Sequence, residues 1–240
     1  MRGRLLVKIK GWNLFEIVWL SLFSIIMLAL SYFWKSSILG VTVYLTGVMC
    51  VVLAAKGNIW NYAFGIYNSI GYAWLSYQNG LYGEVMLNIL FFVPTGIIGW
   101  FMWRNRIQDS SVIMRKMKCR STIGLVLLCV AATIAYGVWL STLKGQNTPY
   151  LDAFNVVASI LATLAMMWRY REQWFLYISI NIVETIMWVI RLMNGSSDAA
   201  TMVVMWIAYL VNSVYGLYVW SNGSQTENEK RYFTNRCLRG

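Results

Sequence analysis

The stretch Trp174-Phe175-Leu176-Tyr177-Ile178-Ser179-Ile180-Asn181-Ile182-Val183-Glu184-Thr185-Ile186-Met187-Trp188 is an apolar run interrupted on one side only. Trp174, Tyr177, Asn181, Glu184 and Trp188 follow one another at steps of three and four, so on a helix they share a face within about 80°. A carboxylate in the middle of a membrane span costs about 2.5 to 3.5 kcal/mol on insertion scales, and such residues face a bundle interior or a wet cavity. The stretch therefore reads as a membrane-spanning helix with a polar face turned away from lipid.

Its pattern has an earlier echo. Trp60, Trp74, Asn79-Gly80, Gly99, Trp103 and Asn105 recur as Trp174, Trp188, Asn194-Gly195, Gly216, Trp220 and Asn222, at an offset of 114 residues that drifts to 117. Similar span lengths place tryptophans at membrane interfaces in any polytopic protein, but they do not account for the Asn-Gly turns or the Gly-x-x-x-Trp endings. The reading is a duplication of three helices, and internal repeats of this kind point to a transporter with its substrate site between the repeats.

With 59% hydrophobic residues, a mean hydropathy of +0.55 and only two prolines, the chain is an all-α integral membrane protein. Eight stretches are long and apolar enough to span: 13–33, 38–55, 60–78, 81–103, 121–143, 150–168, 172–192 and 199–221. The net charge of +11 is explained by orientation rather than by nucleic acid. With a cytoplasmic N-terminus, seventeen of the twenty Lys and Arg lie inside and only Lys35, Lys144 and Arg191 outside, which puts both termini in the cytoplasm. Contact with anionic lipid is a secondary role for the basic loops.

The domain reading follows. Residues 1–37 hold the cytoplasmic N-terminus and an extra first helix, read as uncleaved, and 38–103 hold the first three-helix repeat. Residues 104–149 hold a basic cytoplasmic loop and a linker helix, 150–221 the second repeat, and 222–240 a flexible cytoplasmic tail. Three helices leave the chain on the wrong side to begin an identical unit, and the linker helix supplies the missing crossing. The two repeats are then parallel, in a 3+1+3 core of the SWEET type. Cys50, Cys119, Cys129 and Cys237 have no metal-like spacing and build no disulfide framework.

Several helices carry polar stripes besides the seventh span. Trp60, Phe64, Tyr67, Gly71, Trp74 and Gln78 share a face of the third, where Tyr67 takes the place of Asn181. The fourth carries Glu84, Asn88, Phe92, Thr95 and Gly99, and the sixth carries Asp152, Asn155, Ser159 and Thr163. Aromatic faces stack on flat rings and attract cations, while amides pair with amides and hydroxyls, so the candidate ligand is a small ring-bearing or cationic solute. Trp60, Trp188 and Trp220 also read as interfacial-belt residues, and Asn88 and Asn155 equally as interhelical glue. Gly65 to Ser69 and Ala158 to Ala162 are small-residue packing pairs, and Glu16 reads as an interfacial contact.

Nothing here builds an enzyme. There is no His, no Gly-x-Ser-x-Gly, no phosphate loop and no paired intramembrane aspartate, and neither a metal nor a cofactor is indicated.

The segment Tyr150-Leu-Asp-Ala, the run from Arg169 through Trp174 and Tyr177 to Asn181, and Gly83-Glu-Val-Met-Leu-Asn88 resemble the PnuC family of nicotinamide riboside transporters, from about Leu39 to Trp220. The most specific element is Trp-x-x-Trp-x-x-x-Asn, matched by Trp174, Tyr177 in place of the second Trp, and Asn181. The resemblance implies a seven-helix 3+1+3 core, a homotrimer, a bacterial cytoplasmic membrane, and facilitated diffusion of nicotinamide riboside trapped by cytoplasmic phosphorylation. It further implies that Trp174 and Tyr177 enclose the pyridinium ring and that Asn181 bonds the amide or ribose. With Glu184, Tyr67, Phe64, Asn88, Thr95 and Asn155, these form the candidate substrate-binding set. Thiamine or another vitamin or nucleoside is the alternative substrate, and a non-transporting receptor or scaffold the alternative class.

Overall fold

The computed structural model describes residues 12–33, 38–78, 82–108, 110–142, 148–193 and 199–237. The helices are α1 (Leu14–Phe33), α2 (Ile38–Lys56), α3 (Trp60–Gln78), α4 (Tyr82–Leu87), a π-helical turn (Asn88–Phe92), α5 (Val93–Arg104), α6 (Cys119–Ser141), α7 (Pro149–Met167), α8 (Gln173–Met193) and α9 (Ala199–Cys237). Six of the described helices are long and apolar enough to cross a membrane, and α1 adds the shorter apolar run Leu14–Ile26. The remaining expected span, α3, is long enough, but Asn61, Asn68 and its tyrosines keep it out of the six. Outward faces are apolar: Leu90 is 67% exposed and Leu127 is 64% exposed. Surfaces of that kind are satisfied by lipid rather than water.

The chain divides into two compact units, Met1–Val112 and Ile113–Gly240. In the first, α1 begins with a reciprocal capping box. The Asn13 N–H donates to Glu16 Oε2 (2.9 Å) and the Glu16 N–H to Asn13 Oδ1 (2.8 Å). Glu16 is buried and also pairs with Lys56 at the end of α2, at 3.1 Å. This carboxylate therefore anchors the extra helix to α2. Gly71 lets α3 approach Val43 of α2, and Gly99 of α5 lies against the ring of Tyr62.

The fourth span is not one regular helix. Pro94 has no N–H to give the carbonyl four residues back, and the chain widens into the π turn before it, where the Val93 N–H reaches back to the Asn88 carbonyl. The basic loop also carries structure, a hairpin of Ile107–Gln108 paired with Ser111–Val112.

In the second unit α7 packs on α6, α8 on α7, and α9 on α8. Cys129, Ala158, Ala162, Leu176 and Ile180 form the core, and the fully buried Ala158 and Ala162 fulfil the expectation of close packing. The segment expected as a flexible cytoplasmic tail begins as helix. α9 continues as helix through Cys237, about 58 Å at 1.5 Å per residue and so well beyond a hydrocarbon core of about 30 Å. Helix-forming Glu227, Glu229, Lys230 and Arg231 follow Ser224 with no proline to stop them.

One turn is built twice, at an offset of 112 residues. Gly57 and Arg169 both adopt positive φ (72° and 65°). Gly57 N–H bonds the Ala54 carbonyl and Asn58 N–H that of Leu53, just as Arg169 N–H bonds Met166 and Tyr170 N–H bonds Ala165. This is the Schellman pattern that ends a helix. The correspondence places Tyr62 opposite Trp174, and each packs on a glycine (Gly99, Gly216) and a buried tryptophan (Trp103, Trp220). Counted from this turn, Trp174 corresponds to Tyr62 and Asn181 to Ser69, two residues from the match of Trp60 with Trp174. Burial agrees: Ser69 and Asn181 are 8% and 5% exposed, Tyr67 47%. The expected Asn-Gly turns at 79–80 and 194–195 lie outside the described residues.

Candidate substrate site

The α8 stripe faces inward as its periodicity requires. Trp174 is 3% exposed and lies against Gly216 of α9, where a Cβ would meet the indole ring. Its ring stands 5.7 Å from Tyr177 and 6.3 Å from Trp220. Trp220 is fully buried, which corrects its reading as a belt residue: it is the wall behind Trp174. Trp60, exposed and packed edge-on against Trp100 at 5.4 Å, keeps the belt character.

Further along the stripe, Asn181 Nδ2 donates to Ser213 Oγ of α9 at 2.8 Å. Glu184 Oε1 accepts from Asn155 Nδ2 of α7 at 2.7 Å, and the same nitrogen lies 3.8 Å from the Met187 sulfur. The Asn155 carbonyl oxygen is buried and accepts no bond. The polar face of α8 is therefore shared between its two neighbours. Asn181 is committed through its nitrogen to interhelical bonding. The Asn155–Glu184 pair joins a carboxylate, suited to a cation, with an amide acceptor.

Sequence periodicity missed one residue at the start of α8. Gln173 is fully buried and, among the described residues, neither of its amide atoms nor the Trp174 indole N–H has a hydrogen-bond partner. Buried amides are satisfied almost without exception, which sets these groups apart from the rest of the core. Gln173 escaped because it precedes the stripe and lies beside the charged run Arg169–Glu172, which reads as a solvated loop. The corresponding Asn61 is likewise fully buried, with its Oδ1 unpartnered. Ser213 was missed as well, since one serine in an apolar helix carries no pattern.

The other four candidates lie in the first unit. The Tyr67 hydroxyl donates to Thr42 Oγ1 at 3.0 Å, and Phe64 is half-buried. Asn88 is buried where the π turn begins, a feature frequent at functional sites. Thr95 turns its hydroxyl back to the Phe91 carbonyl at 2.6 Å, so it serves its own helix beside Pro94.

Membrane-crossing helices with a half-buried carboxylate, amides and tilted or edge-on aromatic rings on their inner faces fit a polytopic membrane transport protein. Comparison with known proteins makes the class particular. Residues 37–222 match the family described as Nicotinamide mononucleotide transporter. The nicotinamide riboside transporter PnuC of Neisseria mucosa is 37% identical over 217 residues, covering 88% of this chain and 82% of that protein. Its counterpart from Haemophilus influenzae is 31% identical, covering 89% and 92%. The crystal structure of a vitamin B3 transporter PnuC superposes with a TM-score of 0.76 at 36% identity, covering 91% of this chain and 95% of that one. The chain belongs to the PnuC family of membrane transporters, and its relatives are transporters rather than enzymes.

Proposed function

We propose that the chain takes up nicotinamide riboside by facilitated diffusion, with cytoplasmic phosphorylation trapping the product. The observation that carries this is the composition of one face of α8: the rings of Trp174 and Tyr177 and, about two turns beyond Tyr177, the Glu184–Asn155 pair. Nicotinamide riboside offers a flat pyridinium cation for the rings and the carboxylate, and an amide and ribose for Asn181 and Asn155. The phosphorylated mononucleotide suits the same face less well. α7, α8 as far as Ile190 and α9 as far as Ser224 contain no Lys or Arg to receive a phosphate, and Glu184 repels one. Tyr67, Phe64, Asn88 and Thr95, all in the first unit, are proposed as binding residues on the pattern of the sequence.

The proposal extends to architecture: eight spans as one extra helix plus two parallel three-helix repeats, assembled as a homotrimer in the bacterial cytoplasmic membrane with both termini inside. The distribution of basic residues supports the orientation and the twice-built turn supports the repeat. Uptake into proteoliposomes tests the mechanism. Labelled nicotinamide riboside is expected to equilibrate without a sodium or proton gradient, with mononucleotide excluded. Accumulation above equilibrium under an imposed gradient overturns facilitated diffusion. Thiamine, also a flat cation, is the second substrate to test, and its preferential uptake would reassign the substrate.

A further inference from the structure

The positive end of the second unit carries a groove that the transport reading does not use. It has a volume of about 540 Å³ and is lined by Arg115, Met117, Ser121, Gly124, Leu125, Leu128, Trp168 and Tyr170. Ser121, Gly124, Leu125 and Leu128 form one stripe down the first turns of α6, so the groove runs from the basic segment into the apolar face of a spanning helix. Gly124 has nothing within 4 Å of the position of a Cβ. No packing within the chain requires a glycine there, and its absent side chain leaves a notch beside Leu125 and Leu128. At the upper end Trp168 is half-exposed, the amphipathic ring typical of the membrane interface.

The charge of that end is of one sign. Arg115 is held by its backbone, whose N–H bonds the Arg169 carbonyl (2.8 Å) and whose carbonyl accepts the Arg171 N–H (2.9 Å). Its guanidinium lies over the Tyr170 ring at 4.7 Å, and it makes no ion pair among the described residues. Lys116, Lys118 and Arg120 around it are exposed. The nearby carboxylate, Glu172, is buried and occupied by the Met117 N–H at 3.0 Å and by Arg171 at 3.2 Å, so it does not offset Arg115. A fixed, stacked guanidinium at the interface, a hydroxyl on the next turn and an apolar channel below match a phosphate joined to acyl chains.

We propose that this groove binds an anionic phospholipid, with the phosphate on Arg115 and Ser121 and an acyl chain along Gly124, Leu125 and Leu128. Native mass spectrometry of the purified full chain tests it, with phosphatidylglycerol and phosphatidylcholine offered separately. Wild type is expected to retain phosphatidylglycerol in preference. Arg115→Gln keeps the backbone bridge and should lower that preference about fivefold, the effect of one basic residue at a membrane surface. Gly124→Leu, filling space that is open, should reduce retention of both lipids. Equal retention of the two lipids by wild type, or unchanged adducts in both variants, overturns the proposal. So does a Gly124→Leu chain that keeps its lipid but changes its subunit number, which assigns the groove to a second copy. Displacement of the lipid by millimolar inorganic phosphate would assign it to the free anion instead.

Discussion

Trp174, Asn181 and Gln173 each carry a different kind of interaction, and substitution separates them. Asn181→Ala removes the carbonyl proposed to meet substrate and also the bond to Ser213. Binding of nicotinamide riboside is expected to weaken by about 1 to 3 kcal/mol, roughly 5- to 150-fold, with a stability loss of about 1 kcal/mol, both readable by calorimetry and thermal melting. Trp174→Ala should weaken binding to a similar degree, and Trp220→Ala should follow it because Trp220 backs the same ring, while the exposed Trp60→Ala should leave affinity unchanged. Retention of full affinity by folded Asn181→Ala and Trp174→Ala would remove α8 from the site. Gln173→Leu is expected to behave oppositely in its two readouts. It removes an unpartnered buried amide, so the melting temperature without ligand should hold or rise, while affinity falls about fivefold or more if that amide receives ligand or ligand-bound water.

At the scale of elements, glycines set how closely the helices approach. Gly216→Ala pushes a methyl into the indole of Trp174, and overpacking of this kind costs about 1 to 3 kcal/mol. The expected result is a lower melting temperature together with a shifted Trp fluorescence and weaker binding. Gly124→Ala is the matching control, because nothing stands within 4 Å and alanine is the better helix former by about 1 kcal/mol. Its melting temperature should hold or rise, and a large loss there would mean that the open face of α6 is in fact covered. The π turn before Pro94 shows the same principle by another route, since a missing N–H rather than a missing side chain decides where the helix widens.

For the whole molecule, the strongest expectation is orientation. Ser110, exposed in the hairpin loop, is replaced by Cys in a chain whose native Cys119 and Cys237 are replaced by Ser. An impermeant maleimide should label it in inside-out vesicles and not in intact cells. Labelling from the outer face would reverse the orientation inferred from seventeen basic residues against three.

The helical class, the location of six of the spans and the inward face of α8 were legible in the chain alone. Lipid leaves hydrocarbon-facing positions apolar, so each helix displays its polar stripe at a period of 3.6 without reference to its neighbours. Trp174, Tyr177, Asn181 and Glu184 could be read in that way. Partnership could not. Whether an inward amide meets a ligand or another helix depends on which residue lies across from it, and only packing places Ser213 against Asn181 and Asn155 against Glu184. The same limit explains the repeat. Matching tryptophans by type aligned Trp60 with Trp174, whereas packing aligned Tyr62 with Trp174, because a large ring over a glycine satisfies the space whether it is Tyr or Trp. It explains Gln173 and Trp220 too, since burial at a helix end is decided by the elements folded over it and leaves no period in the sequence.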